Sequence, residues 1–262
     1  MKDEQKYLNL AVKVAKEGGI IFKKFFGKPK SIKSKNGNPR DHVTEVDLKL
    51  EKLIRSKIQK SFPTHKIIGE EFGSQTLDKN DLIWIIDPID GTNNFIQGIP
   101  ICCISIALWD SNGPLIGVVF NPITNQLCTA VRGQGAYLNS KKIKCSTHSE
   151  LIQAFGGYGW GRNLAGASIS FPKLIKMLHK MRTLGSSTSE LAFVAQGVYD
   201  FHIQADINVW DYAASVLLII ESGGKVTDWQ GNNVNLTTKN LLASNGRLHP
   251  LLLAGLKTAN LV

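Results

Sequence analysis

Hydrophobic positions in the first sixty residues recur with helical spacing. Residues 4–26 repeat apolar side chains three and four positions apart, with lysines on the opposite face, which predicts an amphipathic helix. The polar segment Lys30–His42 contains Asn-Gly and Asn-Pro pairs and predicts a loop. Thr44 and Asp47 have the spacing of a capping box, so a second helix is expected to begin there and to end at Phe62.

Short apolar runs between turn residues predict the strands of a first unit, residues 1–145. The run Leu82–Ile86 ends at Asp87-Pro88, where proline stops a strand ladder. We therefore expect helices packed on a mostly antiparallel sheet. The other strands of this unit are expected at Lys66–Gly69, Cys102–Trp109, Leu115–Phe120 and Gln126–Val131, with a hairpin over Gly133–Lys144.

Strands and helices alternate in the second unit, residues 146–262, which predicts an α/β half with no flexible linker before it. The glycine-rich segment 156–161 predicts a loop, because no helix follows it promptly as a dinucleotide site would require. Strands are expected at Leu151–Phe155, Tyr199–Gln204, Lys225–Thr227 and Leu241–Ala243, and helices at Phe171–Met181, Ser189–Gln196, Tyr212–Ser222 and from Pro250 onwards.

Length and composition are those of a soluble globular enzyme. The chain has 262 residues, 43% of them hydrophobic and 20% charged, enough for one large domain or two smaller ones. No apolar run approaches the roughly 20 residues needed to span a bilayer. The charged N-terminus lacks the apolar stretch of a signal peptide, so a cytoplasmic location is expected.

The formal net charge of +10 allows two interpretations. Basic residues concentrate at Lys23–Arg40 and Lys141–Lys144, which would suit nucleic acid or RNA polymerase as a partner. No recognition motif accompanies them, so a solvated basic surface is favoured over a nucleic-acid interface. Such a surface would also attract anionic phosphate esters.

Cysteines and histidines show no spacing typical of a metal site or a disulfide framework. Adjacent Cys102 and Cys103 are expected on opposite faces of a strand. The cysteines are predicted to be buried, reduced thiols, and the six histidines to be surface or loop residues; these are Cys102, Cys103, Cys128 and Cys145, and His42, His65, His148, His179, His202 and His249.

The candidate chemistry lies where the Leu82–Ile86 strand ends. Asp87 and Asp90 are three residues apart, and Gly91-Thr92 reads as a turn into a helix start. Carboxylates suit hard cations such as Mg²⁺, while the unpaired amides of a helix start suit a phosphate. The pattern therefore predicts metal-assisted phosphoryl chemistry.

Four segments resemble the inositol monophosphatase family of Mg²⁺-dependent, Li⁺-sensitive phosphatases. They are Val43-Thr44-Glu45-Val46-Asp47, Gly69-Glu70-Glu71, Asp87-Pro88-Ile89-Asp90-Gly91-Thr92, and Trp210-Asp211-Tyr212-Ala213-Ala214 followed by Glu221-Ser222-Gly223-Gly224. The resemblance covers the chain from about Leu8 to Ala254. It implies an α+β fold of the sugar-phosphatase type, a layered α-β-α-β-α sandwich whose active site lies where the two halves meet.

The resemblance also implies a set of metal ligands for two to three Mg²⁺ ions. Glu70, Asp87 and the Ile89 carbonyl would hold one ion, and Asp87, Asp90 and Asp211 a second. A third, weaker ion would involve Glu70 and waters. The alternative for any single acid is a surface carboxylate or a helix cap.

Catalytic roles follow from the resemblance in the same way. Thr92 and Asp47 would orient the metal-activated water, with Glu70 beside it, and the Gly91 and Thr92 amides would hold the phosphate. Hydrolysis would be direct and in line, with no phosphoenzyme. Thr92 could also cap its helix, and Asp47 could serve only as the acid of the capping box.

The part of the site for the alcohol departs from the family pattern. The sugar-recognition loop corresponds to Gly185-Ser186-Ser187, preceded by Arg182, which could contact substrate or be a buried structural arginine. Asp90 and Asp211 would also touch the substrate. Gln204 stands where inositol-specific members carry Glu, and an amide accepts hydrogen bonds less strongly than a carboxylate. The family's loop lysine falls at Asn36, with Lys35 and Lys33 as possible replacements.

The resemblance implies a phosphomonoesterase that hydrolyses inositol-1-phosphate or a related polyol or sugar phosphate, working as a homodimer. Within the enzyme class the alternatives are fructose-1,6-bisphosphatase, 3′-phosphoadenosine phosphatase and histidinol-phosphatase activities. A non-enzymatic role as a transcription partner is the alternative of a different class.

Overall fold

The structure is a computed structural model that describes residues 2–35, 37–78, 80–160 and 176–259. Within these residues lie six α-helices: α1 (Lys2–Phe25), α2 (Glu45–Ser61), α3 (Thr92–Gln97), α4 (Ser187–Ala195), α5 (Ala213–Glu221) and α6 (His249–Thr258). The strands of the first half are β1 (Ile32–Lys35), β2 (Asn38–Thr44), β3 (Lys66–Gly69), β4 (Gly73–Ser74), β5 (Ile83–Asp90), β6 (Cys103–Asp110), β7 (Gly113–Asn121), β8 (Gln126–Val131), β9 (Gly135–Leu138) and β10 (Lys141–Lys142). Those of the second half are β11 (Phe155–Gly159), β12 (Lys180–Arg182), β13 (Phe201–Gln204), β14 (Lys225–Asp228) and β15 (Leu241–Ser244).

The larger sheet has eight strands in the order β10-β9-β8-β7-β6-β5-β3-β4. Its pairs are antiparallel except β3 with β5, which are parallel, with Gly69 opposite Ile86. The mostly antiparallel sheet predicted for this half is confirmed. Because β3 and β5 run in the same direction, the residues that follow them lie at one edge of the sheet.

Among the described residues, the smaller sheet has five strands in the order β12-β11-β13-β15-β14. β11 is parallel to both of its neighbours, whereas β15 is antiparallel to β13 and β14. The mixed sheet agrees with the α/β character predicted for the second half. The boundary at residues 145 and 146 stays a prediction, which we propose as the division between the two sheets.

Alternating side chains on β5 bury both faces of the larger sheet. Trp84 and Ile86 pack with α1 and α2, while Ile83 and Ile85 pack with α4 and α5. Cys102 and Cys103 divide in the same way between the two hydrophobic clusters, as predicted. The smaller sheet packs on α6 with the face that points away from the larger sheet. Helices and sheets therefore stack as α-β-α-β-α, which confirms the predicted layered fold.

The start of α2 is fixed by the capping box that the sequence predicted. The Thr44 hydroxyl accepts from the Val46 amide at 3.1 Å, and the Asp47 carboxylate accepts from the Thr44 amide at 2.8 Å. These contacts supply partners for amides that a helix start otherwise leaves unpaired. They also place Asp47, whose side chain is buried, at one end of the helix.

Two predictions in the first half are wrong. Lys30–His42 is not only a loop, because β1 and β2 pair as a hairpin in which Ile32 lies opposite Thr44. The strands are mostly polar, and Thr44 is the only buried residue among those described in them, so the hydrophobic pattern gave no signal for them. The Leu82–Ile86 strand does not stop at Pro88 but continues to Asp90, because a bulge between Asp87 and Asp90 places the proline outside the regular ladder.

Four predictions in the second half are also wrong. Leu151–Gln153 is a 3-10 turn, and the strand begins only at Phe155. The glycine-rich segment is mostly strand β11, because a side chain at Gly156 would lie 2.2 Å from the Phe201 carbonyl oxygen; Gly161 lies outside the described residues. The predicted helix Phe171–Met181 ends in strand β12, and its residues 171–175 also lie outside the described part. His202 and His249 are buried rather than superficial.

The remaining compositional predictions concern thiols and membranes. All four cysteines are free, with Cys145 half-buried and the other three buried. Within the described residues, no helix combines the length and apolar character that a membrane crossing requires.

Candidate metal centre

Three carboxylates from two parts of the chain converge at the edge of the larger sheet. Asp87 and Asp90 lie at the end of β5, and Asp211 ends a short 3-10 turn, Val209–Asp211, just before α5. Each offers an oxygen that lies within 4.8 Å of the oxygens of the other two. Glu70 follows β3, the parallel neighbour of β5, and lines the same cleft. The structure thus brings together all four acids that the sequence singled out.

Local contacts hold each of the three aspartates in place. The Asp87 carboxylate accepts from the Ile89 amide at 2.9 Å, across the bulge in β5. The Asp90 carboxylate accepts from the Thr188 amide at 3.0 Å and from the Ser186 hydroxyl, both at the start of α4. The Asp211 carboxylate accepts from the Asn208 amide at 3.0 Å. Elements of both halves therefore contribute to the geometry of the cluster.

The acids destabilise one another's ionised forms. Burial raises the pKa of Asp87 well above its usual range, and the neighbouring Glu70, Asp90 and Asp211 carboxylates raise it further. Burial also raises the pKa of Asp90 to about 6, although the Ser186 hydroxyl acts in the opposite direction. Buried like charges at this distance call for a cation to compensate them. The donor set, all oxygen, fits a hard divalent cation such as Mg²⁺.

The acids line an open cleft with a volume of about 160 Å³. Asp41, His42 and Asn93 line it although the sequence did not indicate them, and His42 Nδ1 lies 2.7 Å from Asn93 Oδ1. Asn93 follows the recognised Asp-Gly-Thr motif directly, which could have drawn attention to it. Asp41 and His42 had no such signal, because the hairpin that presents them was not predicted. The predicted residues in the lining are Glu70, Asp87, Ile89, Asp90, Gly91, Thr92, Gly185 and Asp211.

Gly91 and Thr92 form the wall next to the acids. Gly91 has φ of +84°, and a side chain there would lie 3.0 Å from the Ile101 carbonyl oxygen, so glycine is needed at this turn. α3 begins at Thr92, and the amides of a first helical turn lack partners within the helix. The Thr92 hydroxyl donates to the Ile89 carbonyl at 3.0 Å and lies 3.3 Å from Asp47 Oδ1.

Asp47 is buried, which raises the pKa of its carboxyl group to about 6, although hydrogen bonds from Thr44 lower it. The capping role of Asp47 is therefore present in the structure. Its predicted role in orienting water stays a prediction, and the contact with Thr92 is compatible with it.

Lys35 reaches the site from the β1–β2 hairpin. Its ammonium group lies 2.7 Å from Glu70 and 2.6 Å from Glu71. Burial lowers the pKa of Lys35, but the two glutamates raise it by more, so the group stays charged. Lys33, the other possible replacement for the family's lysine, is exposed, and Asn36, which stands at the position of that lysine, lies outside the described residues.

Of the residues predicted only for the alcohol part of the substrate, Gly185 lines the cleft, whereas Arg182, Ser186, Ser187 and Gln204 are not in its lining. Ser186 and Ser187 begin α4, and the Ser187 hydroxyl donates to Gln204 Oε1 at 3.2 Å. His202 Nε2 lies 3.0 Å from the same oxygen. Arg182 is exposed and stacks on Phe155, with its guanidinium carbon 5.3 Å from the ring centre. A buried structural role for Arg182 is therefore wrong, and its substrate contact stays a prediction.

Comparison with known proteins finds relatives along nearly the whole chain. The sequence model of the inositol monophosphatase family matches residues 3–261. Inositol monophosphatase 2 of Solanum lycopersicum is 37% identical over 254 residues, which is 93% of this chain and 95% of that protein. Nus factor SuhB of Escherichia coli K12 is 36% identical over 254 residues, 95% of each chain. The fructose-1,6-bisphosphatase/inositol-1-monophosphatase of Thermotoga maritima is 35% identical over 242 residues, 92% of each chain.

Solved structures show the same architecture. The structure of Thermotoga maritima IMPase superposes with a TM-score of 0.89 at 31% identity, covering 97% of this chain and 98% of that one. The layered arrangement of helices and sheets is therefore shared over the full length of the fold.

Proposed function

This chain belongs to the inositol monophosphatase family, and on that premise we propose that it is a Mg²⁺-dependent phosphomonoesterase. Its substrate in this proposal is inositol-1-phosphate or a related polyol or sugar phosphate. The observation that carries the proposal is the cluster of Asp87, Asp90 and Asp211 oxygens within 4.8 Å of one another. Membership of the family supports phosphatase chemistry. The identity of the metal and the identity of the phosphate ester are what we propose.

The metal ligands in this proposal are Glu70, Asp87, the Ile89 carbonyl, Asp90 and Asp211, which would hold two to three Mg²⁺ ions. The chemistry that the cations supply when bound is acidification of water and compensation of the phosphate charge. The four acids and the Ile89 residue all line one cleft, which supports the assignment.

The protein groups beside the metal site would bind phosphate and direct the attacking water. The amides at Gly91 and Thr92 would donate to phosphate oxygens, because they open the first turn of α3. Thr92 and Asp47 would orient the attacking water, and the 3.3 Å contact between the Thr92 hydroxyl and Asp47 Oδ1 supports a joint role. Attack would be in line, with the alcohol leaving toward the side formed by Gly185, Ser187 and Gln204.

The alcohol side has an amide where the family's inositol enzymes have a carboxylate. Gln204 Oε1 already has Ser187 Oγ at 3.2 Å and His202 Nε2 at 3.0 Å, and Gln204 Nε2 donates to the Ala205 carbonyl. These contacts leave little acceptor capacity for a sugar hydroxyl. We therefore propose a broader preference among phosphate esters than strict use of inositol-1-phosphate.

A panel of phosphate esters tests the proposal. In the presence of Mg²⁺, the protein is expected to hydrolyse inositol-1-phosphate or another polyol or sugar phosphate. Dialysis against a chelator should abolish this hydrolysis, and added Mg²⁺ should restore it. Asp87→Asn should abolish hydrolysis, whereas Asp228→Asn, at the end of β14 and outside the cleft lining, should not. Activity that survives chelation would rule the metal mechanism out. Millimolar or lower Li⁺ is expected to inhibit, as an order-of-magnitude estimate from looser ligation of the second ion.

Fructose-1,6-bisphosphatase activity is the second candidate. The Thermotoga maritima relative carries both activities in its name, and Gln204 lacks the negative charge that would repel a second phosphate. The same panel decides between the two, by comparing kcat/KM for fructose-1,6-bisphosphate and inositol-1-phosphate. The 3′-phosphoadenosine and histidinol phosphates complete the panel.

A binding role in transcription is the alternative outside enzymology, and it is not favoured. One relative is named a Nus factor, and the basic surface of this chain would suit nucleic acid or RNA polymerase. Asp87→Asn separates the two roles, because it should abolish hydrolysis and leave such binding intact. The homodimer and the cytoplasmic location stay predictions.

A further inference from the structure

Glu51 is a buried acid outside the proposed metal ligands, and its contacts lead directly to one of them. It lies on α2, one turn after Asp47, and its side chain is fully buried. Its carboxylate accepts from the Glu71 amide at 2.7 Å and from the Phe72 amide at 3.2 Å. Glu70 is the residue immediately before these two amides. Glu51 therefore hydrogen-bonds to the backbone directly after Glu70, a proposed metal ligand.

Arg55 completes the contact from the next turn of α2. Its Nε donates to the Glu51 carboxylate at 2.7 Å, and its Nη2 donates to the Gly73 carbonyl. The arginine thus offsets the buried charge of Glu51, which would otherwise be costly. Its hydrogen bond to Gly73 also fixes the far end of the same turn, residues 69–73. Two side chains of one helix together hold both sides of this turn.

Gly69 shows how close the contact is. A side-chain carbon at Gly69 would lie 2.0 Å from Glu51 Oε1 and 2.9 Å from Arg55 Nη2. On the other side, the Glu70 amide donates to the Ile86 carbonyl at 3.2 Å. The backbone around Glu70 is therefore held between the end of β5, which carries Asp87, and α2, which carries Asp47.

We infer that Glu51, with Arg55, is a positioning pair that fixes the Glu70 carboxylate relative to Asp87 for divalent-cation binding. The inference rests on the proposed metal centre. Apart from Glu51 and Arg55, the turn is held by strand pairing and by the ion pairs of Glu70 and Glu71 with the flexible Lys35 side chain, and these contacts leave its backbone some freedom. A carboxylate that accepts from two successive amides removes this freedom, and contacts of this kind behind a ligand set metal affinity.

The test is the affinity of the metal-free chain for Mn²⁺ alone, measured by calorimetry. Glu51→Gln should raise the dissociation constant by about 10-fold to 100-fold, because an amide cannot accept from Glu71, Phe72 and Arg55 as the carboxylate does. The Mg²⁺ concentration for half-maximal hydrolysis should rise in parallel, while kcat at saturating Mg²⁺ and KM change little. A fraction of irreversibly misfolded protein would lower the binding stoichiometry and leave the dissociation constant unchanged. Reversible partial unfolding would raise the apparent dissociation constant only by the inverse of the folded fraction, which urea unfolding of the variant measures.

Glu221→Gln is the matched control. Its carboxylate also accepts from two backbone amides, those of Gly133 and Gly135, each at 2.7 Å, but it lies on α5 away from the cleft. Its Mn²⁺ affinity should equal that of the wild type. Gly69→Ala is the second variant, and it should weaken Mn²⁺ binding because the new methyl group displaces Glu51.

The possible outcomes separate the inference from the function on which it rests. Equal dissociation constants for wild type, Glu51→Gln and Gly69→Ala would overturn the inference and leave the metal centre standing. A wild-type chain that binds no divalent cation would overturn the metal centre and the inference together. Weaker binding in Glu51→Gln and Gly69→Ala, with Glu221→Gln unchanged, would support it.

Discussion

The two oxygens of the Asp47 carboxylate have different partners. One accepts from the Thr44 amide and hydroxyl and closes the capping box of α2. The other lies 3.3 Å from the Thr92 hydroxyl, on the side of the cleft. Capping therefore occupies one oxygen and leaves the second for chemistry, so the two roles that the sequence suggested for Asp47 are compatible. The Thr92 hydroxyl has a single proton, so it donates either to this oxygen or to the Ile89 carbonyl at 3.0 Å, and not to both at once.

Thr92→Val tests the role of that hydroxyl, because valine keeps the β-branched shape. We expect kcat to fall by about 100-fold, the lower part of the range for a lost proton-transfer group. Mn²⁺ affinity should be unchanged, and the free energy of unfolding should fall by about 1 kcal/mol for the lost hydrogen bond. Thr92→Ser, which keeps the hydroxyl, should retain most of kcat. Steady-state kinetics measure kcat of the two variants. Equal kcat values for Thr92→Val and Thr92→Ser would mean that the role of Thr92 is purely structural.

His202 is a buried histidine whose titration should be visible in stability. Burial lowers the pKa of His202 to about 4, although the hydrogen bond with Gln204 acts in the other direction. The imidazole is neutral in both states above about pH 6.5, and below it the unfolded chain takes up the proton first. His202 therefore costs stability as the pH falls from about 6.5 to 4. Glu190, 3.7 Å away, has its pKa raised to about 7 by burial and is mostly protonated over that range.

His202→Asn removes this titration. Between pH 7 and pH 4.5, the unfolding free energy of the wild type should fall by about 2–3 kcal/mol more than that of His202→Asn. Urea unfolding at a series of pH values measures it. Parallel curves for wild type and His202→Asn would show that His202 is not held neutral.

Elements with a strong hydrophobic period were predictable from the sequence, and polar or glycine-rich elements were not. α2, β8 and α5 were found because apolar side chains mark their buried faces. The β1–β2 hairpin was missed because its side chains are mostly polar and few are buried, and backbone hydrogen bonds between strands leave no trace in the hydrophobic pattern. β11 was missed because its glycines, which read as a loop, are required by the close approach of β13.

The same limits apply to the site. Glu70, Asp87, Asp90 and Asp211 were predictable because each belongs to a recognisable motif. The lining by Asp41 and His42 depends on the unpredicted hairpin, and the Glu51 contact depends on how α2 lies against the turn after β3. Such contacts between distant segments follow from packing, which the local pattern does not encode.

The position of Asp211 depends on the distance between α5 and β7. A side chain at Gly117, in the middle of β7, would lie 2.4 Å from the Ala214 carbonyl oxygen in the first turn of α5. Gly117→Ala must therefore push α5 away from the sheet, at a cost of about 1–3 kcal/mol for overpacking. Asp211 precedes α5 directly, so the shift should also raise the Mn²⁺ dissociation constant. Thermal unfolding and calorimetry measure the two effects.

Gly18→Ala provides the control in α1. A methyl group there would meet only the ends of two flexible side chains, Ile104 at 3.2 Å and Leu50 at 3.3 Å. The gain in helix propensity of about 1 kcal/mol should offset the tight contact, and Mn²⁺ affinity should not change. If Gly117→Ala left both stability and affinity intact, the helix position would not be set by this contact.

At the scale of the molecule, the acid cluster joins the two halves of the chain. Glu70, Asp87 and Asp90 belong to the larger sheet, while Asp211 comes from the turn before α5, the helix packed between the sheets. Without a cation these acids repel one another across this junction. A bound divalent cation would convert the repulsion into a link between the halves, so metal binding should stabilise the whole fold.

The pH dependence of that stabilisation has a definite sign. The pKa values of Asp47 and Asp90 are raised to about 6, mainly by burial, and that of Asp87 is raised as well. Folded-state pKa values above the unfolded ones mean that these groups lower the stability of the cation-free chain as the pH rises from about 4 through 6. Binding of a cation requires the ionised carboxylates and competes with protons. Cation binding should therefore stabilise the fold more at pH 7.5 than at pH 5.

Thermal unfolding with and without Mg²⁺ at the two pH values measures this difference. A cation present at 100 times its dissociation constant adds about 2.7 kcal/mol, which corresponds to a rise in Tm of about 5–10 °C for a chain of this size. The rise should be present at pH 7.5 and largely lost at pH 5. Asp211→Asn should reduce it at pH 7.5, because the link from the second half is then weakened. A rise of equal size at both pH values would mean that Mg²⁺ binds to groups other than these buried carboxylates, since their protonation at pH 5 should weaken their binding of a cation.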